Sequence, residues 1–223
     1  MEEVRSHHNS VKRQLIQNAT RKGDCVLDVG CGFGGDLHKW YSCGIRALDM
    51  CDPSEDALAE ARSRASKLKV SPSVYHGDIL SCPTNKTYDV VCYNFSLHYI
   101  FECQKLFKRS IRAIKDRLKI GGKLIGVIPD SEEVIMRTPF ADDLGNVMKR
   151  NETTTGFGNF GEKIFVMLAD TPFYNGEFRC EPIAYKDMLI TELWEHGVHL
   201  EEWKQVSGSP LSQMYSQFIF VRT

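Results

Sequence analysis

The residues that could do chemistry begin in one turn. Gly30, Gly32, Gly34 and Gly35 crowd the stretch that follows the apolar run Val26 to Val29, and a helix-like run, Leu37 to Tyr41, follows them. Glycines allow positive φ and let the backbone approach a ligand closely. A helix N-terminus adds free N–H groups pointing into the same space. Asp28 sits inside the first apolar run, Asp49 ends the next, Ile45 to Met50, and Asp78 ends a third, Val74 to Asp78. An acid about twenty residues beyond such a turn is placed to accept hydrogen bonds from a ribose diol. Taken singly, a glycine turn is often only a tight connection, and an acid at a strand end is often a turn or helix cap. Three acids at the ends of successive strands, after this loop, converge on one edge.

A second group, Asn94-Phe-Ser-Leu-His-Tyr99, follows the apolar run from Tyr88. Aromatic rings and a His there suit a flat heteroaromatic ligand, stacked and hydrogen-bonded. They serve equally as an aromatic-rich loop plugging the core. No nucleophilic triad is visible, and Cys31 has no partner base near it in sequence. None of the eight cysteines forms a CxxC pair or joins a His cluster, so no metal site is expected.

The elements that must position these residues alternate. Residues 5 to 21 read as an amphipathic helix carrying Val11, Leu15 and Ile16, with Lys12 free to reach over the glycine loop. A helix opens at Asp52-Pro53-Ser54, and Pro53, Glu55 and Asp56 all suit a first turn. Residues 100 to 119 carry apolar side chains at three- and four-residue steps, Gly121-Gly122 ends that helix, and Lys123 to Ile128 is the next strand. Strand–helix alternation of this kind predicts a doubly wound, mainly parallel α/β sheet, with ligands beyond its carboxyl edge. Residues 138 to 176 break the pattern and read as loops with short antiparallel strands, Lys163 to Leu168 first among them. Tyr185 to His196 returns to helix, and Val198 to Val206 with Phe218 to Arg222 form a terminal antiparallel pair.

The chain has 223 residues, 42% hydrophobic and 26% charged, as expected for one globular domain with a substantial core. Its net charge of −1 means that any nucleic-acid contact must come from a local patch. No apolar segment approaches eighteen residues and no signal-peptide pattern opens the chain, so an intracellular, membrane-free setting with reduced thiols is expected.

The glycines read GxGxGG behind an acid, which departs from the dinucleotide fingerprint and resembles motif I of the class I S-adenosylmethionine-dependent methyltransferases. That implies a class I, Rossmann-like fold with an antiparallel C-terminal hairpin. More specifically, the chain resembles the messenger-RNA cap guanine-N7 methyltransferase family. The resemblance rests on Val26 to Trp40 (VLDVGCGFGGDLHKW), Asp89 to Phe101 (DVVCYNFSLHYIF) and Gly121 to Asp130 (GGKLIGVIPD). Gly158-Asn-Phe-Gly161 with Phe165, the acidic-proline segment at Glu181, and Met214 to Phe220 extend it over nearly the whole chain from residue 8. The opening, His7 to Lys12, is closest in flavour to capping enzymes of large DNA viruses of the African swine fever virus type.

The resemblance implies S-adenosylmethionine as cofactor, S-adenosylhomocysteine as product and 5′-capped RNA as substrate, without metal or membrane. Lys12, Asp28, Gly30, Gly32 and Asp36 would hold the amino acid end of the cofactor. Asp49 would take the ribose, Asp78 with Ile79 the adenine, and Asn94 and Tyr99 would lie alongside. On the cap side, His98 and Tyr99 would face the guanine, and Phe95 and Pro129 would wall the pocket. Glu181 would read the N1 and N2 donors and Tyr215 would close over them. The family's cap-contacting Asn falls on His8, with Asn9 one place later. Phe33 stands where the family often has Lys, and Pro182 follows the acid where the family's Pro precedes it. His98, Tyr99 and Glu181 would position the reactants and no residue would act by direct chemistry. Residues 1–223 would form one methyltransferase domain with a cap-binding insertion around 138–180. It would be the C-terminal part of a longer cytoplasmic polypeptide with linked triphosphatase and guanylyltransferase domains. Two other readings stand beside it: a methyltransferase acting on a small molecule or protein, which would share the cofactor half, and a silent subunit that only stimulates an active one. The intact glycine motif weighs against the second.

Overall fold

The computed structural model describes residues 2–150, 160–169 and 173–223. Gly158 and Asn159, part of the resemblance above, lie outside the described residues.

The N-terminal helix α1 (Glu2–Ala19) buries Leu15, Ile16 and Ala19, one face at helical spacing. Strand β1 (Cys25–Val29) leads through the glycine turn into α2 (Leu37–Ser42), then β2 (Ala47–Asp52) and α3 (Glu55–Lys67). Ser54 caps α3 by accepting the Ala57 N–H, which fixes where the chain turns from strand to helix. β3 (Ser73–His76), β4 (Tyr88–Asn94), α4 (Gln104–Arg117) and β5 (Leu118–Pro129) complete the alternation. The expected helix over 100–119 is divided: Leu97–Glu102 forms a 3-10 turn, and α4 starts at Gln104. Gly121 and Gly122 lie within β5 rather than before it, because the strand already begins at Leu118.

After α5 (Ser131–Arg137), which the sequence pattern does not announce, the chain builds β6 (Phe140–Ala141), β7 (Val147–Arg150), β8 (Lys163–Met167) and β9 (Arg179–Pro182). These form a second, antiparallel sheet in the order β6-β7-β8-β9, with Glu181 opposite Ile164 on its edge strand. The chain returns through α6 (Lys186–Glu195) to β10 (Val198–Gln205) and β11 (Tyr215–Arg222).

The main sheet runs β10-β11-β5-β4-β1-β2-β3, with β11 antiparallel to both neighbours and the other pairings parallel. Neighbouring residues serve opposite faces. Val26, Val90 and Ile125 pack toward α1 and α2, whereas Leu27, Val91 and Leu124 pack toward α4 and α6. Both faces are covered, so the central strands are apolar almost throughout. The strand order reverses beside β1, where β2 lies to one side and β4 to the other. Clefts at such switch points take ligands at the strands' carboxyl ends.

Candidate functional site

A cavity of about 1150 Å³ opens at that edge, between the main sheet, α1 and the second sheet. Its floor is the glycine turn. Gly30 takes φ +72°, and a Cβ there would collide with Ser96, whose hydroxyl is bonded to the Val29 carbonyl at 2.6 Å. Gly32 takes φ +52°, and a Cβ there would enter open space. The two strand exits thus lie back to back, and only glycine fits at position 30. Phe95, at the β4 exit, also takes a positive φ of 59°, tied by its N–H to the Val127 carbonyl at 2.7 Å. A bulky side chain is rarely held in that region, and such strain gathers at functional sites.

At one end of the cavity charges are paired below the surface. Asp36 accepts from Lys12, Lys39 and Asn94, the last at 2.9 Å. Burial alone would raise its pKa, but Lys12 and Lys39 outweigh burial and hold it below the usual carboxylate range. Two ammonium groups on one carboxylate leave a surplus positive charge beside the cavity. Asp28, 3% exposed, accepts from Trp40 Nε1 at 3.0 Å. Burial pushes its pKa up to about 7, and the nearby Asp36 pushes it the same way. The end therefore offers a site for a ligand carboxylate near Lys12 and one for a cation near Asp28. Asn9 lines the wall and accepts from Lys39 at 3.2 Å. Cys31, also at the wall, has its thiol pKa pushed up by burial and by Asp28 and Asp52, so it is not a thiolate nucleophile.

The acid that faces the cavity from β2 is Asp52, which corrects the expectation for Asp49. Asp49 is buried away from the cavity, where it accepts from Lys86 at 2.8 Å and the Tyr88 hydroxyl at 2.7 Å. The cause is the length of β2, which continues past Met50 through Cys51 to Asp52. Asp52 accepts the Gly32 N–H at 2.8 Å and the Ser54 N–H at 2.9 Å, clasping the glycine turn to the start of α3. Each of its oxygens keeps a lone pair for a ligand hydroxyl. Asp78 and Ile79 lie at the same wall, Asp78 exposed and capping the next turn through the Leu80 N–H at 2.8 Å.

The other end is aromatic around one acid. Glu181 is 3% exposed and accepts from the Tyr174 hydroxyl at 2.6 Å and the Tyr99 hydroxyl at 3.4 Å. His98 Nε2 lies 3.2 Å from it, close enough for charge attraction but without hydrogen-bond alignment. Burial raises its pKa, yet His98 and the two hydroxyls bring the net shift below the usual value. Glu181 therefore stays ionised in a nearly dry setting. Tyr99 packs on His98 with centroids 4.2 Å apart. Across the cavity His8 stacks on Phe95 at 5.6 Å, and Tyr215 meets both edge-on at 5.4 Å. His8 bonds Ser212, and burial, with the charges of His7 and Lys12, lowers its pKa to about 4, so it packs as a neutral ring. Pro129 reaches the same wall, paired with Tyr215 in the sheet.

With the exception of Asp49, the residues given a cofactor or cap role from the sequence line this one cavity. Sequence reasoning ranked Asp52 behind Asp49 for the ribose and missed Tyr174. The signal for Asp52 was an acid directly before Pro-Ser at a helix start. Tyr174 was one of several aromatics without a pattern in the glycine-rich segment.

Fold and site together define a class I methyltransferase architecture. A Pyrococcus horikoshii OT3 crystal structure has this fold, with a TM-score of 0.71 at 18% identity over 100% of this chain and 92% of that one. So does the N-methyltransferase NodS of Bradyrhizobium japonicum WM9 in complex with S-adenosyl-L-homocysteine, with a TM-score of 0.64 at 17% identity over 98% and 86%. The family described as mRNA (guanine-N(7))-methyltransferase domain matches residues 1–170, and the chain belongs to it. It is similar to the mRNA cap guanine-N(7) methyltransferases of Candida glabrata, 34% identical over 58% of this chain and 34% of that protein, and of Caenorhabditis briggsae, 26% identical over 88% and 58%. The chain thus spans between a third and three fifths of those relatives.

Proposed function

We propose that this domain transfers a methyl group from S-adenosylmethionine to N7 of the 5′ guanosine cap of messenger RNA. The observation that carries the reading is an ionised, buried Glu181, ringed by Tyr99, Tyr174 and His98, in the same cavity as the glycine turn. Guanine offers two adjacent donors, N1–H and the N2 amine, and a carboxylate accepts both. Burial makes that recognition selective, because both tyrosine hydroxyls go to Oε1 and a base without those donors would leave Oε2 without a hydrogen bond.

The glycine-turn end fits the cofactor. Asp52 has acceptor capacity for a ribose diol. The surplus ammonium at Lys12 suits an α-carboxylate, and Asp28, whose ionisation burial disfavours, gains from a neighbouring α-ammonium. Asp78 and Ile79 offer an acceptor and an apolar face for adenine. When bound, the cofactor supplies a methyl group on a sulfonium already activated for attack. Guanine N7 carries a lone pair and no proton at neutral pH, so the residues need only align the partners. Glu181 registers the base, Tyr99 and His98 fix its plane, and Phe95, His8, Pro129 and Tyr215 wall the site from water. Glu181 also favours the positive charge that develops on guanine as the bond forms.

The direct test is methyl transfer from labelled cofactor to capped RNA, compared with GTP and uncapped RNA. Transfer confined to the capped RNA supports the reading, and equal transfer to uncapped RNA refutes it. We also propose that residues 1–223 act as one methyltransferase domain of a longer capping polypeptide with linked triphosphatase and guanylyltransferase domains, in the cytoplasm. The viral flavour of His7 to Lys12 supports this; the relatives named above are cellular.

A further inference from the structure

Beyond the base pocket, the structure carries an unexplained rim. Phe173 and Phe178 are each 44% exposed and both line the cavity mouth. Each ring already carries a cation, Arg179 at 4.5 Å over Phe173 and Lys149 at 4.6 Å over Phe178. Of the nine large apolar side chains most exposed among the described residues, four line this mouth, the other two being Tyr99 and Leu144. Scattered exposed apolar groups mean little, but a cluster at the entrance of a site marks a binding surface.

We propose that this rim is a platform for the first nucleotides that follow the cap, held as single-stranded RNA by ring stacking and by phosphate pairing to Arg179 and Lys149; the proposal rests on the cap-methylation reading above. Three observations favour RNA as the occupant. First, aromatic rings beside cations are what single strands require, since every base has a π-face and every linkage a charge. Second, the chain has a net charge of −1, so RNA attraction must be local, and here cations and rings coincide. Third, the rim is continuous with the Glu181 pocket. Arg179 and Glu181 are two apart on β9 and project from one face, so a chain leaving the guanine meets the Arg179–Phe173 pair first. β9 is the edge of its sheet. Cys180 is level with Phe165 and Phe165 with Lys149, which puts Lys149 on the opposite face from Arg179. Lys149 stands on β7, two strands in from β9, and reaches the Phe178 ring from the face opposite Glu181, so the Phe178–Lys149 pair is the outer step of the rim.

The outer pair gives the test. Methylation of a cap dinucleotide, with a single nucleotide beyond the triphosphate, is compared with that of a capped RNA of about ten nucleotides. The full chain and its Phe178→Ala/Lys149→Ala variant are measured at several salt concentrations. The wild type is expected to prefer the capped RNA in kcat/KM, and the variant to lose about tenfold of that preference while keeping its rate on the dinucleotide. The slope of log KM against log salt for the RNA should fall by about 0.7, one single-strand phosphate contact. An unchanged preference for RNA, or an equal loss on both substrates, overturns the platform. Turnover of neither substrate by the wild type would refute the cap reading instead. The platform would then stand or fall on direct binding of a fluorescent single-stranded RNA: weaker binding by the variant supports it, and equal Kd values overturn it.

Discussion

Replacing Asp52 and Asp49 in parallel separates the acid that faces the cavity from its buried neighbour three residues away. Asp52 binds two backbone N–H groups, at 2.8 and 2.9 Å, and faces the cavity. A hydrogen bond to a charged group contributes about 1.5–3 kcal/mol. Losing even one such bond to a ribose hydroxyl weakens binding by about 10- to 100-fold. Asp52→Ala also frees the Gly32 and Ser54 amides, so the glycine turn loses its clasp and the loss falls toward the upper figure. Asp49→Ala removes nothing from the cavity. It strands the buried Tyr88 hydroxyl, at a cost of about 1–3 kcal/mol in stability. For a domain of this size that lowers Tm by about 2–12 °C. Calorimetric titration with S-adenosylhomocysteine, alongside thermal melts, reads both quantities. The expected pattern is a weakened Kd for Asp52→Ala, and a lowered Tm with unchanged Kd for Asp49→Ala. A weakened Kd in Asp49→Ala with an unaffected Asp52→Ala would overturn the reasoning.

Glu181→Gln keeps the size but turns one acceptor into a donor facing guanine donors. It should lower kcat/KM for capped RNA by about 100-fold and leave the S-adenosylhomocysteine Kd unchanged, as methylation assays and calorimetry would show. Asp28 gives a pH effect whose sign follows from its pKa of about 7. Below that pH it is protonated, and a bound α-ammonium favours the charged form, so binding expels a proton and tightens as pH rises through 7. Calorimetry in buffers of different ionisation enthalpy should detect that proton, and Asp28→Asn should abolish both effects. Tyr99→Phe should cost less than Tyr99→Ala in kcat/KM, because the ring packed on His98 matters more than a hydroxyl 3.4 Å from Glu181. A pH–kcat profile should show no ionisation that vanishes in His98→Ala; a limb that does vanish would make His98 a general base.

Much of this protein was set by local pattern. Glycine spacing dictates a strand–turn–helix on its own, because positions 30, 32 and 34 require backbone angles that other residues resist. The runs at 26–29 and 88–94 are apolar almost throughout because helices cover both faces of the sheet, so they announce parallel strands before any contact is known. Tertiary structure decided what pattern leaves ambiguous. Asp49 and Asp52 are both acids near the end of one run, and only the pairing of β2 with β1 and β3 shows that the strand continues to Asp52. The position of Glu181 depended on the register of β9 against β8, a contact between residues 17 apart that places Ile164 opposite the acid. Tyr174 and the rings at the cavity mouth had no periodicity to betray them, since loops are ordered by what they pack against. Short-range chemistry dictated where a ligand could sit; long-range pairing chose which of several similar side chains would touch it.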